Sequence, residues 1–277
     1  MLHTGHEVNG MNLVILKIGG SVLEKLPETF YEMIVKLKKT GVCDPVIVHG
    51  GGPDINKALE KFEIESIFTE GLRVTTKQVL DVAEMVMSGS VNKKIVHRLQ
   101  KAGGSACGMS GLDCSLLKAV PADPTGSLGF VGQVEKVNVE WLYFLINSGI
   151  IPVISPIGMD DSGQRYNING DTAASAVAGS LKGKLALISD IPGVMESIDN
   201  KKVIHPILTK QEIEEKISSG VIFGGMIPKV LSAIKGLEGK ATESVILNGM
   251  DPVDLKNYLE GKETGTKVVM EKEAYHV

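Results

Sequence analysis

The segment NLVILKIGGS, residues 12–21, and its echo PVIVHGGGP, residues 45–53, carry the same grammar: a short apolar run, a glycine cluster, then a helical pattern. The first run ends in Lys17-Ile18, passes Gly19-Gly20-Ser21, and enters a segment to Lys39 with Phe30, Ile34 and Leu37 at helical spacing. The second run closes on His49, passes Gly50-Gly51-Gly52, and opens a helix at Pro53, where a missing N–H costs nothing. Two consecutive strand–loop–helix units of this kind predict an α/β protein with a parallel sheet.

The rest of the chain continues the alternation. Helices are expected over 76–102, divided in two near Gly89, and over 139–148, 171–181, 209–219, 228–237 and 252–260. Strands are expected at 150–155, 184–189, 244–247 and 266–269, with a strand plus one or more hairpins in 105–137. Asp171 is the expected N-cap of its helix. No solenoid-period repeat and no low-complexity tract interrupts the pattern. Residues 1–10 lack the apolar core of a signal peptide, and they are expected to be a loose tail or an expression extension.

Composition narrows the function classes. A chain of 277 residues, 43% hydrophobic and 22% charged, has ample core for a globule. Its net charge of −4 supplies no basic excess for a phosphodiester backbone, so nucleic acid is not the expected partner. No apolar run approaches the ~18 residues of a membrane span. Cys43, Cys107 and Cys114 are odd in number and lack CxxC spacing, which suits free thiols in a reducing, cytoplasmic setting. The six histidines show no metal-ligand spacing, and no protein-held metal site is expected; His49 reads as a residue packed at a strand end.

In an open α/β sheet, ligands sit beyond the carboxyl ends of the strands. Gly19 and Gly20, and the Gly50 to Gly52 cluster, leave backbone N–H groups accessible at helix entries and could cradle a phosphate; glycines at such junctions also serve tight turns alone. The Walker A and dinucleotide fingerprints are both missing. Lys17, set among Val14, Ile15, Leu16 and Ile18, must reach either a sheet edge or an anion. Lys229 follows Gly224-Gly225 in the first turn of a helix, where a cation opposes the dipole unless an anion is bound. Asn167-Ile168-Asn169-Gly170-Asp171 reads as an Asx turn with an N-cap, whose carboxylate could also organise lysines. Arg73 is either a surface residue or a planar fork for a carboxylate.

Lys17-Ile18-Gly19-Gly20-Ser21, Val48-His49-Gly50-Gly51-Gly52-Pro53, Gly71-Leu72-Arg73-Val74-Thr75, Gly108-Met109-Ser110-Gly111-Leu112-Asp113, Asn167 to Asp171, Ser189-Asp190-Ile191-Pro192-Gly193 and Gly224-Gly225-Met226 with Lys229 occur in this order. Together they resemble the amino acid kinase family, most closely its branch whose acceptor is N-acetyl-L-glutamate. The resemblance implies a three-layer αβα sandwich around an open, mainly parallel eight-stranded sheet, usually a homodimer. It implies transfer of the ATP γ-phosphoryl group to the side-chain carboxylate of N-acetyl-L-glutamate, a step of arginine biosynthesis, with Mg²⁺ arriving with ATP. By the same resemblance Lys17 and Lys229 are catalytic and Asp171 holds them, while Gly51, Gly52, Arg73, Asn167 and Asn169 face the acyl amino acid. Gly19, Gly20, Asp190, Gly193, Val194, Met195, Gly224 and Gly225 face the nucleotide. One such domain would fill residues 11–277, with an acceptor lobe over about 11–170 and a nucleotide lobe over about 171–277.

The chemistry suits these residue types. A glutamate side chain, with a pKa of about 4.3, is already ionised at neutral pH and needs no general base. What it needs is relief from repulsion between two anions. Rival readings are a kinase of carrier-protein-linked aminoadipate in lysine biosynthesis, a catalytically silent nucleotide sensor and a non-nucleotide binding module. Arginine-inhibited members of the family carry an extra amino-terminal helix; the ten residues here have no helical periodicity, so the expectation is an arginine-insensitive dimer.

Overall fold

The structure is a computed structural model that describes residues 12–198 and 201–271, so the expected tail at residues 1–10 lies outside the described residues. The chain opens with β1 (Leu13–Ile18), a short α1 (Gly20–Leu23), α2 (Glu28–Lys39), β2 (Asp44–His49) and α3 (Gly52–Lys61). A small hairpin, β3 (Phe68–Thr69) with β4 (Leu72–Arg73), precedes α4 (Lys77–Glu84) and α5 (Asn92–Lys101). Then come β5 (Ala106–Ser110), β6 (Leu117–Pro121), β7 (Val131–Val137), α6 (Val139–Asn147), β8 (Ile151–Ser155), β9 (Ile157–Met159) and β10 (Arg165–Ile168). The remainder is α7 (Gly170–Leu181), β11 (Lys184–Ser189), β12 (Met195–Ile198), β13 (Lys201–Ile204), β14 (Ile207–Thr209), α8 (Lys210–Ser218), α9 (Met226–Glu238), β15 (Glu243–Asn248), α10 (Pro252–Leu259) and β16 (Thr266–Val269).

Eight strands form one open sheet in the order β14-β16-β15-β11-β1-β2-β8-β5, parallel except where β16 runs against β15. β1 lies in the interior of this sheet, between β11 and β2. Its side chains alternate between two cores, because successive residues of a strand point to opposite faces. Leu13 and Ile15 join the core containing residues of α6, α7 and α9, and Val14, Leu16 and Ile18 join the core built on α2, α3 and α5. The apolar run of β1 is continuous for this reason: both faces are covered. Strands β6, β7, β9 and β10 close into a small barrel, which periodicity in 105–137 did not reveal because β9 and β10 lie beyond it.

Two local expectations are corrected. The helix over 76–102 is not broken at Gly89: α4 passes through a π-helical turn, Met85–Val91, directly into α5. Val86, Met87 and Val91 are buried on its inner side, and this burial outweighs the cost of an exposed glycine, about 1 kcal/mol relative to alanine. The segment after Ser21 is two helices, since Pro27 cannot continue α1 and instead stands as N-cap of α2.

Candidate functional site

The carboxyl ends of β1 and β2 open into a cleft of about 310 Å³. Gly19 and Gly20, Gly50 to Gly52, Arg73, Asn167, Asn169, Gly170 and Asp171 line it together with Lys17. The glycines are needed here because backbones meet directly: a Cβ on Gly20 would stand 2.8 Å from the Pro53 ring and 3.1 Å from the Gly52 nitrogen. The first amides of α3 have neither intrahelical acceptors nor a side-chain cap, so this rim offers donors to an anion, and α3 and α7 both bring positive dipole ends to it.

Lys17 continues the odd-numbered row of β1 onto the α7 face, and its Nζ meets Asp171 Oδ1 at 2.7 Å. It is an interior-strand lysine with a 15% exposed side chain, and the sheet-edge alternative is thereby removed. Asp171 is not the N-cap. Asn169 caps α7, its Oδ1 accepting from the N–H of Asp171 at 2.8 Å and of Thr172 at 3.3 Å. Asn169, at the extended position before the helix, satisfies the orphan donors, which leaves the Asp171 carboxylate, already inside the first turn, free to hold Lys17.

Lys229 sits in the first turn of α9, half-buried and outside the residues that line the cleft. Burial pulls its ammonium below the ordinary lysine range; Asp190 opposes this, the Lys17 charge adds to it, and Asp171 opposes it again. The two lysines therefore share one electrostatic neighbourhood with two carboxylates. Asp190, just past β11, accepts from Lys25 at 2.7 Å. That bond, with the charges of Lys25 and Lys229, holds its carboxyl below the usual carboxylate range. Gly193 and Val194 follow along the same loop and Met195 opens β12, with Val194 buried and its N–H bonded to Thr266 Oγ1 at 2.8 Å. Gly224 and Gly225 are exposed ahead of α9. None of the expected nucleotide-side residues from Asp190 to Gly225 lines the 310 Å³ cleft, whereas all the expected acceptor-side residues do.

Arg73 is buried, 8% exposed, and its charge meets no carboxylate at ion-pair distance among the described residues. Its guanidinium donates to Ser66 Oγ, to Asn56 Oδ1 at 2.6 Å and to the Gly52 carbonyl at 3.4 Å, and lies 4.6 Å from the Phe68 ring centroid. Burial lowers its pKa from the ordinary arginine value. A buried, uncompensated guanidinium on a cleft wall is suited to an anionic ligand. Asn167 is tied into the same wall, its Nδ2 donating to Thr75 Oγ1 at 3.1 Å, and Thr75 in turn donating to the Arg73 carbonyl at 2.8 Å. Sequence spacing gave no sign of Ser66, Asn56 or Phe68 at the site, because their contacts with Arg73 depend on the β3–β4 hairpin meeting α3, nor of the Thr75 contact, which depends on β10.

No group of three or more His, Cys, Asp or Glu side chains able to hold a metal occurs among the described residues. The donor set of lysines, an arginine and glycine amides matches phosphate and carboxylate oxygens. A divalent cation bound to such a nucleotide would take most of its ligands from phosphates and water.

Residues 12–248 match the amino acid kinase family, and the chain belongs to it. It is 55% identical over 267 residues to the acetylglutamate kinase of Oceanobacillus iheyensis, covering 96% of this chain and 100% of that one. The acetylglutamate kinase of Methanocaldococcus jannaschii is 44% identical over 253 residues, 87% of this chain and 84% of its own. Among solved structures, the protein smu.665 of Streptococcus mutans superposes with a TM-score of 0.78 at 28% identity, covering 94% of this chain and 99% of that one.

Proposed function

We propose that this chain transfers the γ-phosphoryl group of ATP to the side-chain carboxylate of N-acetyl-L-glutamate, giving the acyl phosphate and ADP, in arginine biosynthesis. The observation that carries this reading is Lys17 held by Asp171 at 2.7 Å over a cleft whose far wall is the uncompensated Arg73, in a chain 55% identical to an acetylglutamate kinase over nearly its full length.

In this reading the acceptor lobe spans about 11–170 and the nucleotide lobe about 171–277. Arg73 takes the α-carboxylate of the acyl amino acid, and Asn167 and Asn169 hold its polar groups. The reacting carboxylate is thereby placed at the glycine amides of Gly51 and Gly52. Lys17 and Lys229 approach the migrating PO₃ unit from the two lobes and offset the charge that spreads over its oxygens. Asp171 keeps Lys17 oriented and prevents the paired cations from repelling each other out of place. Gly19 and Gly20, with Asp190, Gly193, Val194, Met195, Gly224 and Gly225, serve the nucleotide. Mg²⁺, bound with ATP, supplies further neutralisation of phosphate charge. The active unit in this reading is a cytoplasmic homodimer, which size measurement in solution tests; no helix among the described residues is long and apolar enough to cross a membrane.

The decisive assay traps acyl phosphate with hydroxylamine after incubation with Mg-ATP and N-acetyl-L-glutamate. Hydroxamate is expected with this acceptor; ADP release without hydroxamate would overturn the reading. Replacing Arg73 with alanine is expected to raise KM for N-acetylglutamate about 10–100-fold, the value of a lost charge-assisted hydrogen bond, with KM for ATP little changed. A defect confined to ATP would instead place Arg73 with the nucleotide.

A further inference from the structure

Behind the glycine cluster lies a buried polar pair that the reaction as described does not use. His49, the last residue of β2, and Asn92, the first residue of α5, are both fully buried. The His49 Nδ1 lies 3.0 Å from the Gly50 carbonyl oxygen, and its Nε2 lies 3.1 Å from Asn92 Nδ2. A carbonyl oxygen only accepts, so Nδ1 carries the proton and donates it to Gly50; Nε2 is then an acceptor for the Asn92 amide. The orientation of that amide is set independently: Nδ2 also faces the Val153 carbonyl at 2.9 Å and the Met109 carbonyl at 3.3 Å, both of which only accept, while Oδ1 accepts from Lys93 Nζ at 3.1 Å. Space for it is made by Gly108, where a Cβ would fall 1.9 Å from Asn92 Oδ1. The π-helical turn delivers Asn92 to this point and packs Met87 under Gly51, where a Cβ would stand 2.8 Å from Met87 Cγ. With burial as the main cause, the imidazole pKa falls to about 4, so the ring stays neutral in this tautomer through neutral pH.

The consequence lies in the peptide group. The Gly50 C=O and the Gly51 N–H belong to one planar trans unit and point in opposite directions. Anchoring the oxygen on the buried ring turns the Gly51 N–H away from the ring, toward the cleft that Gly50 and Gly51 line. We propose that His49 and Asn92 are a positioning pair that aims the Gly51 amide at the anion passing between the two substrates. Neither side chain touches substrate; glycine, free to flip this peptide, is held by the tautomer of a histidine, and the tautomer is held by an asparagine on the neighbouring helix. The proposal rests on the reading of the cleft as a phosphoryl-transfer site.

The full chain tests it, with the hydroxamate assay and ¹⁵N NMR of the histidine rings. In His49→Gln the amide nitrogen stands near the Nε2 position and the donor to Gly50 is lost; in His49→Asn the amide nitrogen stands near Nδ1 and the donor survives. kcat is expected to fall about 10–100-fold in His49→Gln, as for other groups that orient a reacting residue, with His49→Asn at least about tenfold more active and KM for ATP little changed in both. Asn92→Asp keeps the shape but offers Nε2 an acceptor in place of a donor, so the ring should gain a proton on Nε2, which the ¹⁵N shifts read; a ring unchanged in this variant would remove Asn92 from the pair. Equal losses of activity and of Tm in the two His49 variants would overturn the proposal in favour of simple packing. A wild-type ring carrying its proton on Nε2 would overturn it as well. Absence of hydroxamate from the wild-type protein would refute the assigned reaction, while the tautomer measurement would still report on the pair.

Discussion

Replacing Lys17 with alanine is expected to lower kcat by about 10²–10³, equivalent to ~3–4 kcal/mol of transition-state stabilisation, the cost of removing one preorganised donor from developing negative charge. Lys17 is suited to so large an effect because the fold has already fixed it. Its strand is interior, its side chain is 15% exposed, and Asp171 holds Nζ at 2.7 Å, so little reorganisation remains to be done as the phosphoryl group moves. The acceptor carboxylate and the γ-phosphate are both anionic, and without this cation their approach is opposed in a site partly shielded from water. Lys229→Ala is expected to fall in the same range, and the double variant to fall by less than the product, if the two ammonium groups act on the same PO₃ unit as proposed. Steady-state kinetics with ATP varied at saturating N-acetyl-L-glutamate decide this. Wild-type turnover in Lys17→Ala would remove the residue from the chemistry. A large rise in KM for ATP at unchanged kcat would make it a binding group only.

The parts of this architecture that sequence made visible are those governed by short-range periodicity. LVILKI and PVIVH are apolar on both faces because β1 and β2 are covered on both faces, and the one charged residue in the β1 run stands out for the same reason. The glycine clusters were legible as turns, and their convergence on one cleft followed from the rule for open α/β sheets. What stayed hidden was set by contacts between distant segments. The cap of α7 went to Asn169 rather than Asp171: both residue types cap well, and only the backbone position of the helix start and the contact of Lys17 with the carboxylate separate them. The π turn at Met85–Val91 has no periodic signature distinct from a helix with one glycine. The partners of Arg73 come from α3 and from the hairpin that folds over it. A polar residue on the buried side of a helical pattern, Asn92 among Val91, Ile95 and Leu99, was the one available sign of the pair behind Gly50.

Gly179→Ala is expected to lower stability by about 2–3 kcal/mol, a Tm loss on the order of 5–10 °C, although alanine is the better helix former. Two effects oppose each other at this position. The intrinsic preference for alanine inside a helix is worth about 1 kcal/mol in favour of the change. Against it, a Cβ on Gly179 would fall 1.7 Å from the Gly239 carbonyl oxygen, a backbone atom at the end of α9 that cannot rotate away. Relieving that overlap requires α7 and α9 to separate near their C-terminal ends, opening the core formed by Ala174, Val177, Ala178, Val230, Ala233 and Ile234. The damage should reach the reaction too, because the same two helices carry Asp171 and Lys229 in their first turns. kcat is therefore expected to fall even at temperatures where the variant remains folded. Gly89→Ala provides the contrast: Gly89 lies exposed in the π turn, and a Cβ there has nothing within 4 Å, so propensity alone should act and stability should hold or rise by up to about 1 kcal/mol. Thermal unfolding of both variants beside the wild type reads the difference, and a Gly179→Ala protein as stable as Gly89→Ala would show that the α7–α9 contact yields without cost.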